Sequence, residues 1–289
     1  MTVWSADLPI QFDGLRVALI SDIHLGPSIS GAFVADLVDQ VNAAQPDLIV
    51  IAGDLVDGTV AQLGDEMAPL ARLEATYGTV LTTGNHEFMT GDVDDWLDFW
   101  RGQGITVLDN SAIQLTRPGA SIDIIGINDR RGTGAHRPDL AAAFASLPQV
   151  GDGDGRPDGT DGSDGTSGTG GTSGGTGEAA GTVDSCAEAE VCVVGDGRFR
   201  LLVAHQPIQA LSNDDQPARL GVDLQLSGHT HGGQLWPGQL LVHLQQPVVD
   251  GLHQVGGVQV VTSRGVGSWG PPVRVLASPE IVLVTLRSG

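Results

Sequence analysis

Residues 16–24 of the chain read RVALISDIH, and this stretch decides the fold class. Its first part, Arg16–Ser21, is a short apolar run of the kind found in strands that are buried on both faces. The run leads directly into Asp22 and His24, whose side chains are of types that bind metal ions. We therefore predict a buried strand with a polar site at its carboxyl end.

Two further apolar runs follow the same pattern. Asp47–Ala52 and Thr79–Thr83 are predicted strands, and each is followed at once by glycine and polar residues. Helices are predicted between the strands, first over residues 33–41, where apolar residues recur at helical spacing, and then from about Glu66 to Thr76. This β-α-β-α-β alternation predicts an α/β domain whose functional edge lies at the carboxyl ends of a parallel or mixed sheet.

The rest of the chain adds mainly strands. One helix is predicted over Asp92–Gly104, with its aromatic residues packed in the core, and another over Pro138–Leu147. The predicted strands are residues 106–108, 122–127, 200–204, 222–226, 258–262 and 281–286. Because little helical pattern separates the last four strands, this half is expected to be more antiparallel.

The composition limits the possible partners. The 289 residues carry 35 acidic and 14 basic side chains, a formal net charge of −21, so no basic surface is expected for binding nucleic acid or an anionic membrane. No apolar run approaches the roughly 20 residues that span a bilayer, and Met1–Asp13 lacks the regions of a signal peptide. A cytoplasmic location is expected for the chain as given, with membrane association only through an anchor that would precede Met1.

Residues 151–181 differ abruptly from the rest, being rich in Gly, Asp, Ser and Thr. Such a segment buries too little apolar surface to offset its ordering entropy, so we predict a disordered insertion within a single domain that spans residues 1–289. Beside it lie Cys186 and Cys192. They either form a local disulfide or remain two thiols, depending on the redox state of the compartment.

The predicted strand ends collect side chains that can ligate metals. The glycine-rich residues 227–234 hold His229 and His231, which share a face because alternate side chains of an extended chain point the same way. Alone, this pair is either part of a metal site or two polar residues in a surface turn. Five of the eight histidines lie at predicted strand ends, which favours one shared site. The polar residues at these ends are Asp22, His24, Asp54, Asn85, His86, His205, His229 and His231.

These blocks resemble the signature of the calcineurin-like metallophosphoesterase superfamily. The signature consists of Asp-x-His, Gly-Asp, Gly-Asn-His-Glu, a lone His and Gly-His-x-His, and all five blocks occur in this order between Asp22 and His231. The segments GHTHGGQ at 228–234 and SRGVG at 263–267 are similar to a bacterial branch that is often linked to N-terminal membrane helices. Lipid-linked or cell-envelope phosphodiesters are the proposed substrates of that branch.

The resemblance implies a fold and a set of metal ligands. The implied fold is a four-layer α/β/β/α sandwich with two mixed sheets, and the implied cofactors are two divalent metal ions. The implied ligands, by motif position, are Asp22, His24 and His231 for the first ion, Asn85, His205 and His229 for the second, and Asp54 as the bridge. Such mixed nitrogen and oxygen ligands suit Mn, Fe or Zn.

Three further residues are candidates for catalysis or substrate binding. His86 resembles the superfamily's non-ligand histidine, which protonates or stabilises the leaving oxygen. Asp57 resembles the acid that orients this imidazole, and a simple turn carboxylate is the alternative interpretation. Arg264 follows a predicted strand near the same edge and is either a bidentate phosphate ligand or a plain surface arginine.

We therefore expect a hydrolase in which a hydroxide bridging two metal ions attacks a phosphodiester. A diester is expected rather than a monoester because nothing in the sequence marks an extra cationic pocket for a dianion. The alternatives are a phosphomonoesterase acting on phosphoproteins or nucleotides, and a non-catalytic metal-binding scaffold. The complete set of ligands speaks against the scaffold.

Overall fold

The structure is a computed structural model that describes residues 1–148 and 197–289. The predicted insertion at 151–181 lies outside the described residues, as do Cys186 and Cys192. The described chain forms two six-stranded sheets that pack face to face, and helices cover the outer faces of both sheets.

The first sheet contains the strand that starts at Arg16. Its strands, in spatial order, are β1 (Thr2–Ser5), β12 (Val282–Ser288), β2 (Arg16–Ile20), β3 (Leu48–Ala52), β4 (Thr79–Thr82) and β5 (Thr106–Val107). Neighbouring strands are parallel except for β12 and β2. Along β3, Leu48 and Val50 face the second sheet, whereas Ile49 and Ile51 face the helices. Burial of both faces explains why the run is continuously apolar.

The second sheet is parallel at its centre and antiparallel at its edges. Its strands, in spatial order, are β10 (Gly251–Val255), β11 (Val258–Thr262), β9 (Leu224–Ser227), β8 (Arg200–Val203), β7 (Ala120–Gly126) and β6 (Ser111–Arg117). The antiparallel pairing predicted for this half is wrong for β8, β9 and β11, which pair in parallel. The connection from β8 to β9 holds a helix, α6 (Ser212–Arg219), whose polar sequence and internal Pro217 hid the helical pattern.

The helices form the two outer layers. Besides α6, the described helices are α1 (Gly31–Ala43), α2 (Val60–Met67), α3 (Asn85–Met89), α4 (Val93–Gly102), α5 (Leu140–Ala145) and α7 (Gln239–Val242). Residues of α1, α2 and α4 pack on the first sheet, with Trp96 and Trp100 fully buried, while α5 packs on the second sheet. An apolar layer also lies between the sheets. The predicted four-layer α/β/β/α sandwich is therefore confirmed.

The helix predicted from about Glu66 to Thr76 lies earlier in the chain. It begins after Thr59, whose backbone N–H donates to Gln62 Oε1 at 3.0 Å in a capping box, and it ends at Met67. Pro69 follows that end, in the first turn of a short 3-10 helix over Ala68–Arg72. The proline therefore marks the end of this helix rather than its beginning, because it lacks the N–H that would continue the α-helical ladder.

Backbone hydrogen bonds join the loops at the carboxyl ends of the strands. Within the first sheet, Asp22 N–H donates to Gly53 O at 3.0 Å. Within the second sheet, Gly228 N–H donates to His205 O at 2.9 Å. Between the sheets, the backbone N–H of His229 donates to the Asp22 carboxylate at 3.0 Å. The functional edges of both sheets thus meet in one place.

Candidate metal centre

The loops that follow the strands hold all the metal ligands predicted from the sequence, together with His86, the predicted non-ligand histidine. Their positions are Asp22 and His24 after β2, Asp54 after β3, Asn85 and His86 at the start of α3, His205 after β8, and His229 and His231 after β9. Most of these side chains are buried or nearly so, and several line one cleft of about 520 Å³. The structure therefore brings together residues that lie up to about 200 positions apart in the chain, as the 207 positions between His24 and His231 show.

Five of the predicted ligands have a left-handed backbone, which is uncommon for residues other than glycine. Their φ angles are 57° for Asp22, 52° for His24, 55° for Asp54, 70° for His229 and 51° for His231. Each such residue costs on the order of 1–3 kcal/mol and persists only where its surroundings fix it. Strain of this kind clusters at functional sites, so the backbone independently marks these positions.

A first group of ligand atoms is formed by Asp22, His24 and His231. Nε2 of His24 lies 3.0 Å from Nε2 of His231, which in turn lies 3.4 Å from Asp22 Oδ1. Nδ1–H of His24 donates to Asp57 at 3.0 Å, so the Nε2 of this ring presents its lone pair to the other two residues. Two imidazole nitrogens and a carboxylate that converge in this way suit a bound cation.

A second group is formed by Asp54, His205 and His229. Nδ1–H of His205 donates to Ala52 O at 2.6 Å, which leaves Nε2 to face the other two residues. That Nε2 lies 3.2 Å from Asp54 Oδ2 and 3.2 Å from Nδ1 of His229. Asn85 lines the same cleft, and its buried Oδ1 accepts no hydrogen bond. A buried amide oxygen without a partner is costly unless a cation binds it.

Asp54 links the two groups through one oxygen. Oδ2 lies 3.2 Å from Nε2 of His205 in the second group and 3.8 Å from Nε2 of His24 in the first. The other oxygen, Oδ1, accepts the backbone N–H of His86 at 2.8 Å, which fixes the orientation of the carboxylate. Burial alone would favour the neutral acid, but the adjacent imidazoles outweigh it and lower the pKa of Asp54. Asp54 therefore presents an anionic oxygen between both groups.

The protonation states of the histidines suit the binding of cations. Burial lowers the pKa of His229 and of His231 to about 4, so both rings are neutral at pH 7. Burial acts in the same direction on His205, but the adjacent Asp54 carboxylate outweighs it and raises the pKa of His205 well above its usual value. A positive charge at Nε2 of His205 is thus favoured. A proton supplies this charge in the free protein, and a bound metal ion would supply it in place of the proton.

Asp57 contacts two histidines with the same oxygen. Its Oδ1 accepts from Nδ1–H of His24 at 3.0 Å and from Nδ1–H of His86 at 2.6 Å, and the two rings meet edge to face with centroids 4.4 Å apart. Burial opposes protonation of His86, but its hydrogen bond to Asp57 and the charge of Asp54 outweigh burial and raise the pKa of His86. Asp57 thus lies where it orients a predicted metal ligand as well as His86.

Glu87 organises the loops, a role for which the sequence analysis had no prediction. Its buried carboxylate accepts three backbone N–H groups, from Gly84 at 2.6 Å, Asp54 at 3.1 Å and Leu55 at 2.7 Å. It therefore ties the loop after β3 to the loop after β4. Two sequence signals mark it. It ends the Gly-Asn-His-Glu block, and it lies three residues after Gly84, where an acid caps a helix by reaching back to the backbone.

Three arginines lie in or near the site. Arg264 is ion-paired with Glu280 at 2.5 Å and is not among the described residues that line the cleft. Arg131, which follows β7 and belongs to no recognisable motif, does line it. Arg274 lies behind the site, where its guanidinium donates to the carbonyl oxygens of Arg264 and Ala277 and lies 3.2 Å from Nδ1 of His231.

The fold and the paired ligand groups define an α/β sandwich protein with a cluster of metal-ligand side chains at the meeting point of its sheets. Comparison with known proteins agrees with this class: residues 15–149 match the family model of calcineurin-like phosphoesterases. Over these residues the chain is similar to this superfamily of metallophosphoesterases.

Similar proteins come from animals and bacteria. The chain is 32% identical to a putative metallophosphoesterase of Caenorhabditis elegans, over 98% of this chain and 52% of that protein. It is 32% identical to a transmembrane protein with metallophosphoesterase domain of Danio rerio, over 97% of this chain and 55% of that protein. It is 28% identical to the uncharacterized metallophosphoesterase YkuE of Bacillus subtilis, over 99% of this chain and 84% of that protein. The chain thus spans about half the length of the two animal relatives.

Gly53 provides a test of how closely the loops must approach. It has a φ of +81°, and a Cβ at this position would overlap the backbone of Gly84, whereas Gly78, with a φ of +73°, has open space beside it. Both Gly53→Ala and Gly78→Ala incur a left-handed backbone penalty of roughly 1 kcal/mol, so Gly78→Ala is the matched control. We expect Gly53→Ala to lower the free energy of unfolding in urea by at least about 2 kcal/mol more than the control. Equal losses would show that the loops are not in tight contact.

Proposed function

We propose that the protein is a metal-dependent phosphoesterase, a hydrolase that uses two divalent metal ions and acts on phosphodiesters. The observation that carries the proposal is the position of Asp54 Oδ2, which lies within 3.8 Å of an imidazole nitrogen from each ligand group. A carboxylate oxygen in that position is suited to bridging two cations separated by about 3.5–4 Å, the separation found in two-metal hydrolytic sites.

The proposed ligands follow from the two groups. Asp22, His24 and His231 would hold the first ion, and His205 and His229 the second, with Asp54 shared. Asn85 completes the second set because its buried Oδ1 otherwise has no partner. The set contains nitrogen and oxygen donors and no thiolate, which suits Mn, Fe or Zn.

When bound, such a pair of ions supplies a hydroxide at neutral pH and stabilises charge on the phosphoryl oxygens. The chain's own residues would position the substrate and move its proton. His86 lines the cleft, and its raised pKa favours the protonated ring that donates to the leaving oxygen. Asp57 holds that ring through the 2.6 Å hydrogen bond to Nδ1, which leaves Nε2 for the proton transfer.

Arg131 is the proposed ligand for a non-bridging phosphate oxygen. Among the described residues that line the cleft, it is the one arginine, and the chain has no lysine. One guanidinium matches the single charge of a diester better than the double charge of a monoester, which supports the diesterase over the phosphomonoesterase. A non-catalytic scaffold is disfavoured because His86 and Asp57 are also placed for proton transfer. Neither belongs to the proposed ligand set, yet the 2.6 Å hydrogen bond between them holds the His86 ring at the cleft.

The whole protein is proposed to associate with a membrane through a segment outside this chain. This part of the proposal is supported by the Danio rerio relative, which is named as a transmembrane protein. Among the described residues, no helix has the length and apolarity needed to cross a bilayer.

Replacement of Asp54 tests the shared oxygen. We expect Asp54→Ala to lose both metal ions together, because each group loses a ligand and the two cations lose the anion between them. Metal content by plasma mass spectrometry of the purified protein measures this loss, and circular dichroism confirms that the variant is folded. Asp98→Ala, at a carboxylate with 80% exposure on α4, is the control and should keep both ions. Retention of two ions by Asp54→Ala would rule out the bridge.

Replacement of His86 tests the proton donor. We expect His86→Ala to keep its metal content and to lower kcat by about 10²–10⁴-fold on esters with poor leaving groups. The loss on bis(p-nitrophenyl) phosphate should be much smaller because p-nitrophenolate leaves without a proton. In the unmodified protein, activity on the poor leaving groups should fall as pH rises through the raised pKa of His86. A loss of equal size on both kinds of ester would contradict the acid role.

Replacement of Arg131 tests substrate binding. We expect Arg131→Ala to raise KM for bis(p-nitrophenyl) phosphate by roughly tenfold, the effect of losing one charge-assisted hydrogen bond. Arg130→Ala is the matched control because the neighbouring side chain lines a different cavity. Arg264→Ala should change stability rather than KM, since it breaks the pair with Glu280. A raised KM in Arg264→Ala with none in Arg131→Ala would return the binding role to Arg264.

A further inference from the structure

An exposed apolar surface borders the cleft. Two segments form it, residues 235–244, which include α7, and residues 269–276. They are joined because Trp236 N–H donates to Val275 O at 3.2 Å and Val275 N–H donates to Gln234 O at 2.8 Å. The most exposed large apolar side chains of these segments, between 59% and 79% accessible, are Trp236, Leu240, Leu241, Leu244, Trp269 and Leu276. These six residues are called the apolar rim.

The apolar rim is continuous with the metal centre. Leu235, Val242 and Trp269 line the same cleft as His24, Asp54 and His231. Contiguous apolar surface of this kind on a water-soluble domain marks a contact with another apolar body. Leu276 supports this interpretation because it combines 77% exposure with a left-handed φ of 60°, an arrangement that folding alone does not favour.

The rim is free of charge in a strongly acidic chain. The chain carries 35 acidic residues, yet residues 231–249 contain no Asp, Glu, Lys or Arg. Residues 265–279 contain a single charged side chain, Arg274, and its guanidinium is turned inward to backbone carbonyls and His231. Gln234 is likewise turned inward, toward the backbone of Trp269. The rim therefore offers few polar groups of the kind that specify a protein partner.

We propose that the apolar rim docks the protein on the surface of a lipid bilayer of low negative charge. Tryptophans and leucines on short protruding segments are the residues that insert at the boundary between headgroups and acyl chains. The two rim segments carry no lysine and one inward-turned arginine, so they offer little attraction to anionic lipid and the docking is apolar rather than electrostatic.

The position of the cleft favours a bilayer over a second copy of the chain. Trp269 of the rim lines the cleft itself, so whatever contacts the rim also lies beside the cleft, and a second copy of the chain would bring no phosphoester there. A bilayer instead presents phosphoesters at headgroup depth directly beside the apolar layer that the rim would enter. The part of this inference that concerns substrate presentation rests on the proposed function, whereas the docking itself does not.

The test uses the full chain, phosphatidylcholine vesicles and a triple variant, Leu240→Gln/Leu241→Gln/Leu244→Gln. Glutamine preserves helix propensity in α7, and none of the three leucines is among the residues that line the cleft. We expect the vesicle partition coefficient, measured by co-flotation, to fall at least about tenfold, because each lost leucine lowers this coefficient severalfold. Turnover of bis(p-nitrophenyl) phosphate in solution should stay within about twofold of the unmodified protein.

The matched control is Trp4→Gln/Ile10→Gln, which removes two apolar side chains of similar exposure, 60% and 71%, outside the rim. This control should partition as the unmodified protein does. Addition of phosphatidylserine to the vesicles should weaken the partitioning of all three proteins.

Three results would overturn the proposal. The first is equal partitioning of the triple variant and the control, and the second is stronger binding to vesicles that contain phosphatidylserine. The third is a dimer that the unmodified protein forms without lipid in sedimentation and the triple variant does not, while neither protein binds vesicles. Retained vesicle binding without any turnover would instead count against the phosphoesterase and leave the docking intact.

Discussion

The site depends on the burial of two carboxylates, Asp22 and Asp54, at the point where two sheets meet. Each is at most 2% exposed, and isolated charges at such depth are strongly disfavoured. Neighbouring imidazoles supply the compensation, most directly His205, which lies 3.2 Å from Asp54. Metal ions that replaced the proton on His205 would satisfy the same electrostatic demand more completely. The need to neutralise these buried acids therefore accounts for the histidines that the loops place around them.

The loops meet this demand only because other contacts hold them in unfavourable conformations. The left-handed backbone at Asp54 is supported by Glu87, which accepts the N–H groups of both Asp54 and Leu55. Gly53 allows the loops after β3 and β4 to lie in contact. The strain is thus distributed over a hydrogen-bonded frame that also contains residues outside the proposed ligand set, such as Glu87 and Leu55. It also explains why a buried glutamate, with a pKa raised by desolvation, is kept beside an already acidic site.

Sequence patterns were sufficient for the central strands and for the polar residues at their ends. Continuous apolar runs such as Arg16–Ser21 have one structural solution, burial on both faces, so β2, β3 and β4 were predicted within a residue or two. Edge strands such as β6 and β10 were missed because most of their residues are partly exposed and show no clear period. Arg131 was also missed because its place at the cleft depends on contacts between loops that no local spacing encodes. The spacing of Glu87 from Gly84 indicates a helix cap but not its bonds to Asp54 and Leu55.

The distribution of charge reconciles an acidic protein with the proposed anionic substrate. At physiological ionic strength, charges more than about 8 Å apart are largely screened, so the local surroundings of the cleft matter more than the total of −21. Those surroundings combine a site built to hold cations, one arginine at the wall, and segments 231–249 and 265–279 that lack any carboxylate. A phosphate group that approaches past the apolar rim therefore meets no carboxylate from these two segments before it reaches the metal centre. The absence of acids that makes the rim compatible with lipid also keeps this approach open to an anionic ester, so one compositional feature serves both the proposed docking and the proposed chemistry.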